Sequence, residues 1–97
     1  MVTQQQIADM QAGMERLREK LKAEKWPQKY MFKFVLPNDR AKLDNIMELL
    51  PTNGKVTFRD SKGGKYVGVT CVAEMSSADA VMSVTSAVCA IEGVISL

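Results

Sequence analysis

From residue 30 onward, hydrophobic and polar positions follow two periods, which together predict the order strand, helix, strand, strand, helix, strand. In residues 30–36 an aromatic or leucine side chain occupies every second position, which is typical of a strand with one buried face. Two later segments place apolar residues three or four positions apart, as on one side of a helix. These helical stripes are Leu43, Ile46, Met47 and Leu50 in the first segment and Val81, Val84, Val88 and Ile91 in the second.

The two middle strands are predicted on either side of a glycine-containing turn. Residues 55–60 place Val56 and Phe58 on the inner face, and residues 65–75 continue the alternation after the turn. The glycine pair at 63–64 supplies the positive φ angles that a tight hairpin needs. The two strands are therefore expected to be antiparallel neighbours.

Cap residues set the bounds of the two helices. Asn38 or Asp39 is expected to cap the first helix, because a short polar side chain there accepts a hydrogen bond from a free helical amide. Ser76 and Asp79 resemble a capping box at the start of the second helix, with Asp in place of the usual Glu. Gly93 is expected to cap the end of that helix.

The last strand is predicted over residues 94–97. This element order predicts an α+β fold of the ferredoxin-like type, βαββαβ, because each strand-helix-strand unit has a right-handed crossover. The four-stranded antiparallel sheet is expected in the order 4-1-3-2, with both helices on one face. The chain then divides into an N-terminal amphipathic helix, residues 1–25, and the ferredoxin-like domain, residues 26–97.

An extra helix is predicted before the first strand, over residues 3–25. Five apolar side chains lie on one side of it at alternating spacings of three and four: Ile7, Met10, Met14, Leu17 and Leu21. The stripe is shorter than the three to four heptads of a reliable coiled coil. It therefore fits self-pairing, packing on the sheet, or packing on a dimer partner. Its apolar side has no bulky aromatic residue, so we do not expect it to bind a membrane surface.

Composition and charge narrow the possible functions. Thirteen basic and eleven acidic residues give a net charge of +2, too balanced to indicate nucleic acid or an anionic membrane. The chain has no His, and Cys71 and Cys89 lie in apolar surroundings, so no nucleophile or general base is evident. We therefore expect no catalytic residues, no metal site and no cofactor. The start of the sequence does not resemble a secretory signal, which predicts a cytoplasmic protein.

The sheet face away from the helices is predicted to be unusually apolar for a free surface. Its residues are Met31, Lys33, Val35, Thr57, Arg59, Tyr66, Thr70, Val72 and Val94 or Ile95. We expect the N-terminal helix or a second subunit to cover this face, or a ligand or partner protein to bind there. The interface candidates are Met31, Val35 and Tyr66, together with the stripe of the N-terminal helix. Tyr66 is the single aromatic residue on this face, whereas single-stranded RNA is usually stacked on two or three.

Three stretches resemble the bacterial YbeD-like family, a small domain of unknown function. They are residues 30–39 (YMFKFVLPND), residues 64–70 (GKYVGVT) and residues 92–97 (EGVISL), and the resemblance extends over about residues 26–97. That family is similar in fold to the ACT domains, which bind amino acids and regulate metabolic enzymes. The resemblance implies a small non-catalytic regulatory or protein-interaction module, with a protein partner, a second copy of the chain, or both.

The resemblance also implies an alternative, an ACT-like sensor of a small metabolite such as an amino acid. The corresponding ligand-binding residues would be Asn38, Asp39 and Arg40, at the start of the first helix of the domain. ACT domains that bind amino acids typically have a glycine in this turn, so that backbone amides approach the ligand. Here residues 38–42 contain no glycine, which favours protein contacts over amino-acid binding.

Overall fold

The chain combines helices and one antiparallel sheet in the computed structural model, which describes the backbone of residues 4–97 and the side chains of residues 12–97. The elements are α1 (Gln4–Lys22), β1 (Gln28–Pro37), α2 (Arg40–Leu49), β2 (Lys55–Asp60), β3 (Tyr66–Met75), α3 (Ala78–Cys89) and β4 (Ile95–Ser96). The predicted α+β class and the order of the elements are confirmed. The side chains of Ile7 and Met10 lie outside the described part.

The sheet places β1 and β3 at its centre. From one edge its order is β2-β3-β1-β4, which is 4-1-3-2 when it is counted from the opposite edge. β1 pairs with β3 over its whole length, from Gln28 opposite Met75 to Pro37 opposite Tyr66. β4 is short and pairs with β1 only at Phe34 and Val35. β1 and β3 therefore supply most of the sheet's inner face.

The core lies between the inner face of this sheet and the helices. Phe32, Phe34 and Leu36 of β1 are at most 2% exposed, as the aromatic or leucine side chain at every second position predicts. The core also contains side chains of the neighbouring strand β3 and of the helices α2 and α3, among them Val67, Val69, Cys71, Ile46, Val81 and Val88. Tyr30 extends the aromatic row of β1, with its ring edge against Phe32 at a centroid distance of 4.7 Å.

Two of the predicted helix caps are wrong. The N-cap of α3 is Ser77, not Ser76, since the Ser77 hydroxyl oxygen accepts a hydrogen bond from the amide of Ala80. α3 ends at Cys89 with Ala90 as its C-cap, so Gly93 is not the cap. Gly93 has a φ of 85° in the turn before β4. A Cβ atom there would lie 2.9 Å from Cγ of Pro37, so both the turn and the close packing require glycine.

The predictions for the β2–β3 turn and for the N-cap of α2 are confirmed. Gly63 and Gly64 have φ angles of 90° and 72° and join β2 to β3, as the hairpin requires. Asp39 is the N-cap of α2, one of the two residues that the sequence offers for this role.

Two side chains predicted to be buried are half exposed. Met47 of α2 is 44% exposed and Phe58 of β2 is 50% exposed. Phe58 does lie on the inner side of the sheet, because it is paired with the buried Val69 of β3. However, β2 is the edge strand, and the core extends only partly beneath it. The prediction assigned the correct side of the sheet but the wrong degree of burial.

Where its side chains are described, α1 packs on the helical layer rather than on the open sheet face. Leu21 is 2% exposed and belongs to the core, and Met14 and Leu17 are partly buried against that core. α1 contacts α3, and the Trp26 indole N–H donates to the Leu21 carbonyl at 2.9 Å. The expectation that this helix covers the open face is therefore wrong for the described part of the helix.

Gly54, in the turn before β2, packs too tightly to accept a side chain. A Cβ atom there would lie 2.5 Å from the Cys71 sulfur and 3.1 Å from the Pro51 carbonyl oxygen. We expect Gly54→Ala to lower the free energy of unfolding by about 1–3 kcal/mol in urea melts, because overpacking displaces buried atoms. Gly68→Ala is the matched control, since its Cβ atom would lie 3.7 Å from its nearest neighbour. Equal losses for the two variants would contradict this packing.

Candidate functional site

The residues predicted to bind a small ligand form the turn before α2, and each has a structural role. The Asn38 side-chain amide donates to the Gly64 carbonyl at 2.9 Å, which ties this turn to the β2–β3 hairpin. Arg40 forms an ion pair with Asp44, 3.2 Å apart, with side chains 89% and 65% exposed. A pair this exposed is worth little stability. The three residues are consecutive and exposed, and they do not enclose a pocket.

Asp39 occupies the anion-binding position at the start of α2. Its Oδ1 atom accepts hydrogen bonds from the amides of Ala41 and Lys42, at 2.9 and 3.2 Å. Free amides at a helix N-terminus are what would bind the carboxylate of an amino acid. Here the protein's own carboxylate takes these donors, so an amino-acid ligand would have to displace it.

The sheet face away from the helices is open to solvent. Met31 of β1 is 54% exposed, Tyr66 of β3 is 49% exposed and Ile95 of β4 is 59% exposed. Val35 is partly buried and lies opposite Gly68 of β3. Because Gly68 has no side chain, the sheet surface has a shallow depression at the middle of this face. The predicted interface residues Met31, Val35 and Tyr66 therefore share one surface, which we call the open face.

The open face is basic. The strand register and the alternation with buried residues place four cations on it, Lys29, Lys33, Lys55 and Arg59. Among the strand residues, all of which the structure describes, Glu74 is the single anion on this side. This excess of positive charge on one face is hidden in the overall net charge of +2. A binding surface for an acidic partner needs such an excess, with apolar area beside it.

Sequence reasoning missed a hollow between α2 and the edge strand. It has a volume of about 290 Å³ and is lined by Leu43 and Met47 of α2, Phe58 of β2, and the Arg40–Asp44 pair at its rim. It was missed because Met47 and Phe58 were expected to face the core, and buried side chains at these positions would leave no hollow. A second hollow of about 280 Å³, near the start of β1, is more polar and is lined by Pro27, Asn53, Glu74, Met75 and Ser76.

The titratable groups of the interior are held neutral. Burial raises the pKa of the thiols of Cys71 and Cys89, and both cysteines are free. Burial, and to a lesser degree the nearby carboxylate of Glu24, raises the pKa of Tyr30. Raised thiol pKa values oppose thiolate formation, and a thiolate is the form that attacks a substrate or binds a metal.

In the described residues, no group of three or more His, Cys, Asp or Glu side chains is arranged to hold a metal ion. No helix in the described part of the chain is long and apolar enough to cross a membrane.

Comparison with protein families gives a match that begins at the end of α1. The model of the family described as "Protein of unknown function (DUF493)" matches residues 22–97. The chain belongs to this family. The DUF493 match includes the whole sheet, α2 and α3, whereas nearly all of α1 precedes it. No curated protein and no solved structure gives a significant match to the chain.

Proposed function

We propose that this DUF493 protein is a small, non-catalytic regulatory or adaptor module that binds a partner protein through its open face. The observation that carries the proposal is the combination of half-exposed apolar side chains with an excess of cations on one sheet face. Met31, Tyr66 and Ile95 supply the apolar area. We infer that the partner presents an acidic surface with apolar residues within it, because complementary charge raises the association rate and sets specificity.

A second copy of the chain fits this face less well. Stacking two open faces about a twofold axis would bring two sets of four cations together, with one glutamate on each side. Like charges in contact oppose association. Homo-oligomers that use other surfaces, such as the exposed side of α1, remain compatible with the module.

We assign the domain to the ferredoxin-like fold, in the YbeD-like and ACT-like form that the sequence resembles. The order β1-α2-β2-β3-α3-β4 and the pairing of β1 with both β3 and β4 support this assignment. Two free cysteines support a reducing compartment, and we place the protein in the cytoplasm.

The alternative is an ACT-like sensor of a metabolite such as an amino acid at Asn38, Asp39 and Arg40. Its support is the exposed turn at the start of α2, where backbone amides and a basic side chain lie close together. The carboxylate of Asp39 on those amides weighs against it. A thermal-shift screen with amino acids tests the sensor directly: an effect that Asp39→Asn changes would favour it over the interaction module.

The module is tested by charge reversal on the open face. Tagged wild-type protein is used to capture proteins from a lysate of its own cells, and a stoichiometric candidate is then purified and titrated. The double variant Lys29→Glu, Lys33→Glu is expected to bind this candidate about tenfold or more weakly than the wild type does. The affinity of the wild type is expected to fall steeply as the salt concentration rises. The variant Arg16→Glu, Lys20→Glu carries the same charge change on exposed positions of α1 and is expected to bind as the wild type does.

Three outcomes would contradict the proposal. Equal weakening by both double variants would mean that net charge, not the open face, decides binding. If the wild type bound RNA or DNA rather than a protein, and Lys29→Glu, Lys33→Glu abolished that binding, the open face would be a nucleic-acid-binding surface. A purified protein that forms a homodimer disrupted by the open-face variant would identify the occupant as a second copy.

A further inference from the structure

Among the residues whose backbone the structure describes, no strand pairs with the outer side of the edge strand β2. β2 is the first strand of the sheet order, and its partner in that part of the chain is β3. Its register with β3 runs from Lys55 opposite Val72 to Asp60 opposite Val67 without a bulge, and it contains no proline. Bulges and prolines block many edge strands, and β2 has neither; it carries charged side chains instead, which deter a second strand of like charge but not one of opposite charge. A six-residue strand of this kind therefore offers free backbone donors and acceptors to another extended segment.

The two sides of β2 differ in chemistry. Lys55, Thr57 and Arg59 lie on the open side of the sheet, whereas Val56, Phe58 and, at the end of the strand, Asp60 lie on the helix side. On the helix side, the hollow between β2 and α2 lies next to the outer edge of β2, and the half-exposed Phe58 and Met47 form its walls. A strand added next to β2 would thus alternate between a basic side and an apolar hollow.

We propose that β2 is a site for strand addition, and that its occupant is an extended segment of a partner protein in which acidic and apolar residues alternate. The backbone of the segment pairs with the outer side of β2. Its apolar side chains enter the hollow lined by Leu43, Met47 and Phe58, and its carboxylates lie beside Lys55 and Arg59. The site shares Lys55 and Arg59 with the open face, but it differs from the site of the proposed function because it also needs the backbone edge of β2 and the hollow beside α2.

Charge argues against a second copy of β2 as the occupant. If two β2 strands paired antiparallel about Thr57, Lys55 of each copy would lie directly opposite Arg59 of the other, and like charges at that position are destabilising. If they paired about Phe58, Asp60 would lie opposite Val56, which gives neither a salt bridge nor an apolar contact. A segment with alternating acidic and apolar residues instead places carboxylates beside Lys55 and Arg59 and apolar side chains beside Phe58 and the hollow.

The test is selection from a library of displayed random peptides on the purified full-length protein. We expect enrichment of peptides in which Asp or Glu alternates with apolar residues. A synthetic peptide of the enriched sequence is expected to shift the backbone amide NMR signals of residues 55–60 and to slow their hydrogen exchange. Binding is expected to fall about tenfold or more with Arg59→Glu, and further with Phe58→Asp, which puts a charge beside the hollow.

Two controls separate this site from the open face. Lys62→Glu reverses an exposed charge in the hairpin, outside β2, and is expected to leave peptide affinity unchanged. Lys29→Glu, Lys33→Glu is also expected to retain the peptide, even where it loses the partner protein of the proposed function. The two proposals can therefore fail separately.

The inference is overturned by any of four results. No enrichment above background would mean that β2 is a closed edge protected by its cations. Enriched peptides without the alternation, or amide shifts confined to the open face, would place binding elsewhere. A wild-type dimer in light scattering that Phe58→Asp converts to monomers would make a second copy the occupant of β2.

Discussion

Phe34→Ala is expected to lower the free energy of unfolding by about 3–5 kcal/mol, the usual cost of removing a buried aromatic side chain. Phe34 is 1% exposed at the centre of β1, and it lies opposite Val69 of β3, which is buried to the same degree. Its ring also stacks near Phe32, with centroids 6.3 Å apart. Equilibrium unfolding in urea, followed by circular dichroism, measures the loss.

Lys33→Ala is the matched control for that measurement. Lys33 is the neighbour of Phe34 on the same strand, but it lies exposed on the open face. Its replacement is expected to change the free energy of unfolding by no more than about 0.5 kcal/mol, as is usual for an exposed position. Similar losses for the two variants would show that the inner and outer sides of β1 are exchanged.

Leu21→Ala is expected to cost about 2–5 kcal/mol, since it removes a large aliphatic side chain from the core. Leu21 is 2% exposed, although the sequence places it on a separate N-terminal helix. The loss arises because the end of α1 packs against α3 and the Trp26 indole bonds to the carbonyl of this residue. Thermal melts and urea unfolding of the full-length protein provide the measurement.

Lys20→Ala, one position earlier and exposed, serves as the control. It is expected to unfold as the wild type does. If Leu21→Ala behaves in the same way as Lys20→Ala, α1 is a free tail in solution. A loss of stability that depends on protein concentration would instead indicate that Leu21 packs on another copy of the chain.

The sequence predicts elements well where a short-range rule decides them. The bounds of β2 agree with the prediction, because the Gly54 turn and the glycine pair at 63–64 limit that strand on both sides. Periodicity identifies the inner residues of β1 because aromatic or leucine side chains occupy every second position from Tyr30 to Leu36. It does not separate Ser76 from Ser77 as the cap of α3, since both have the same hydroxyl and differ only in backbone geometry.

Burial at the edge of the fold cannot be predicted from periodicity alone. Met47 and Phe58 occupy apolar positions of their elements, but their exposure depends on how far α2 extends over β2. The same limit applies to the open face. The residues of the open face follow from alternation along the strands. The exposure of that face depends on where α1 packs. The amphipathic stripe of α1 does not decide this, because tertiary packing does. The sequence predicts Asn38 or Asp39 as the N-cap of α2, because Asn and Asp are both common there. It does not decide which of the two accepts the hydrogen bonds of the helical amides.

The pairing of β1 with β3 has a consequence for how the chain folds. The residues that face each other across these central strands lie about 30 to 50 positions apart in the sequence, whereas β2 and β3 are joined by a short hairpin. The hairpin can form within microseconds, but β1 must find it across a large loop. Until it does, the apolar side of β3 has no partner, so β1 docking is the step at which this small domain is most exposed to aggregation.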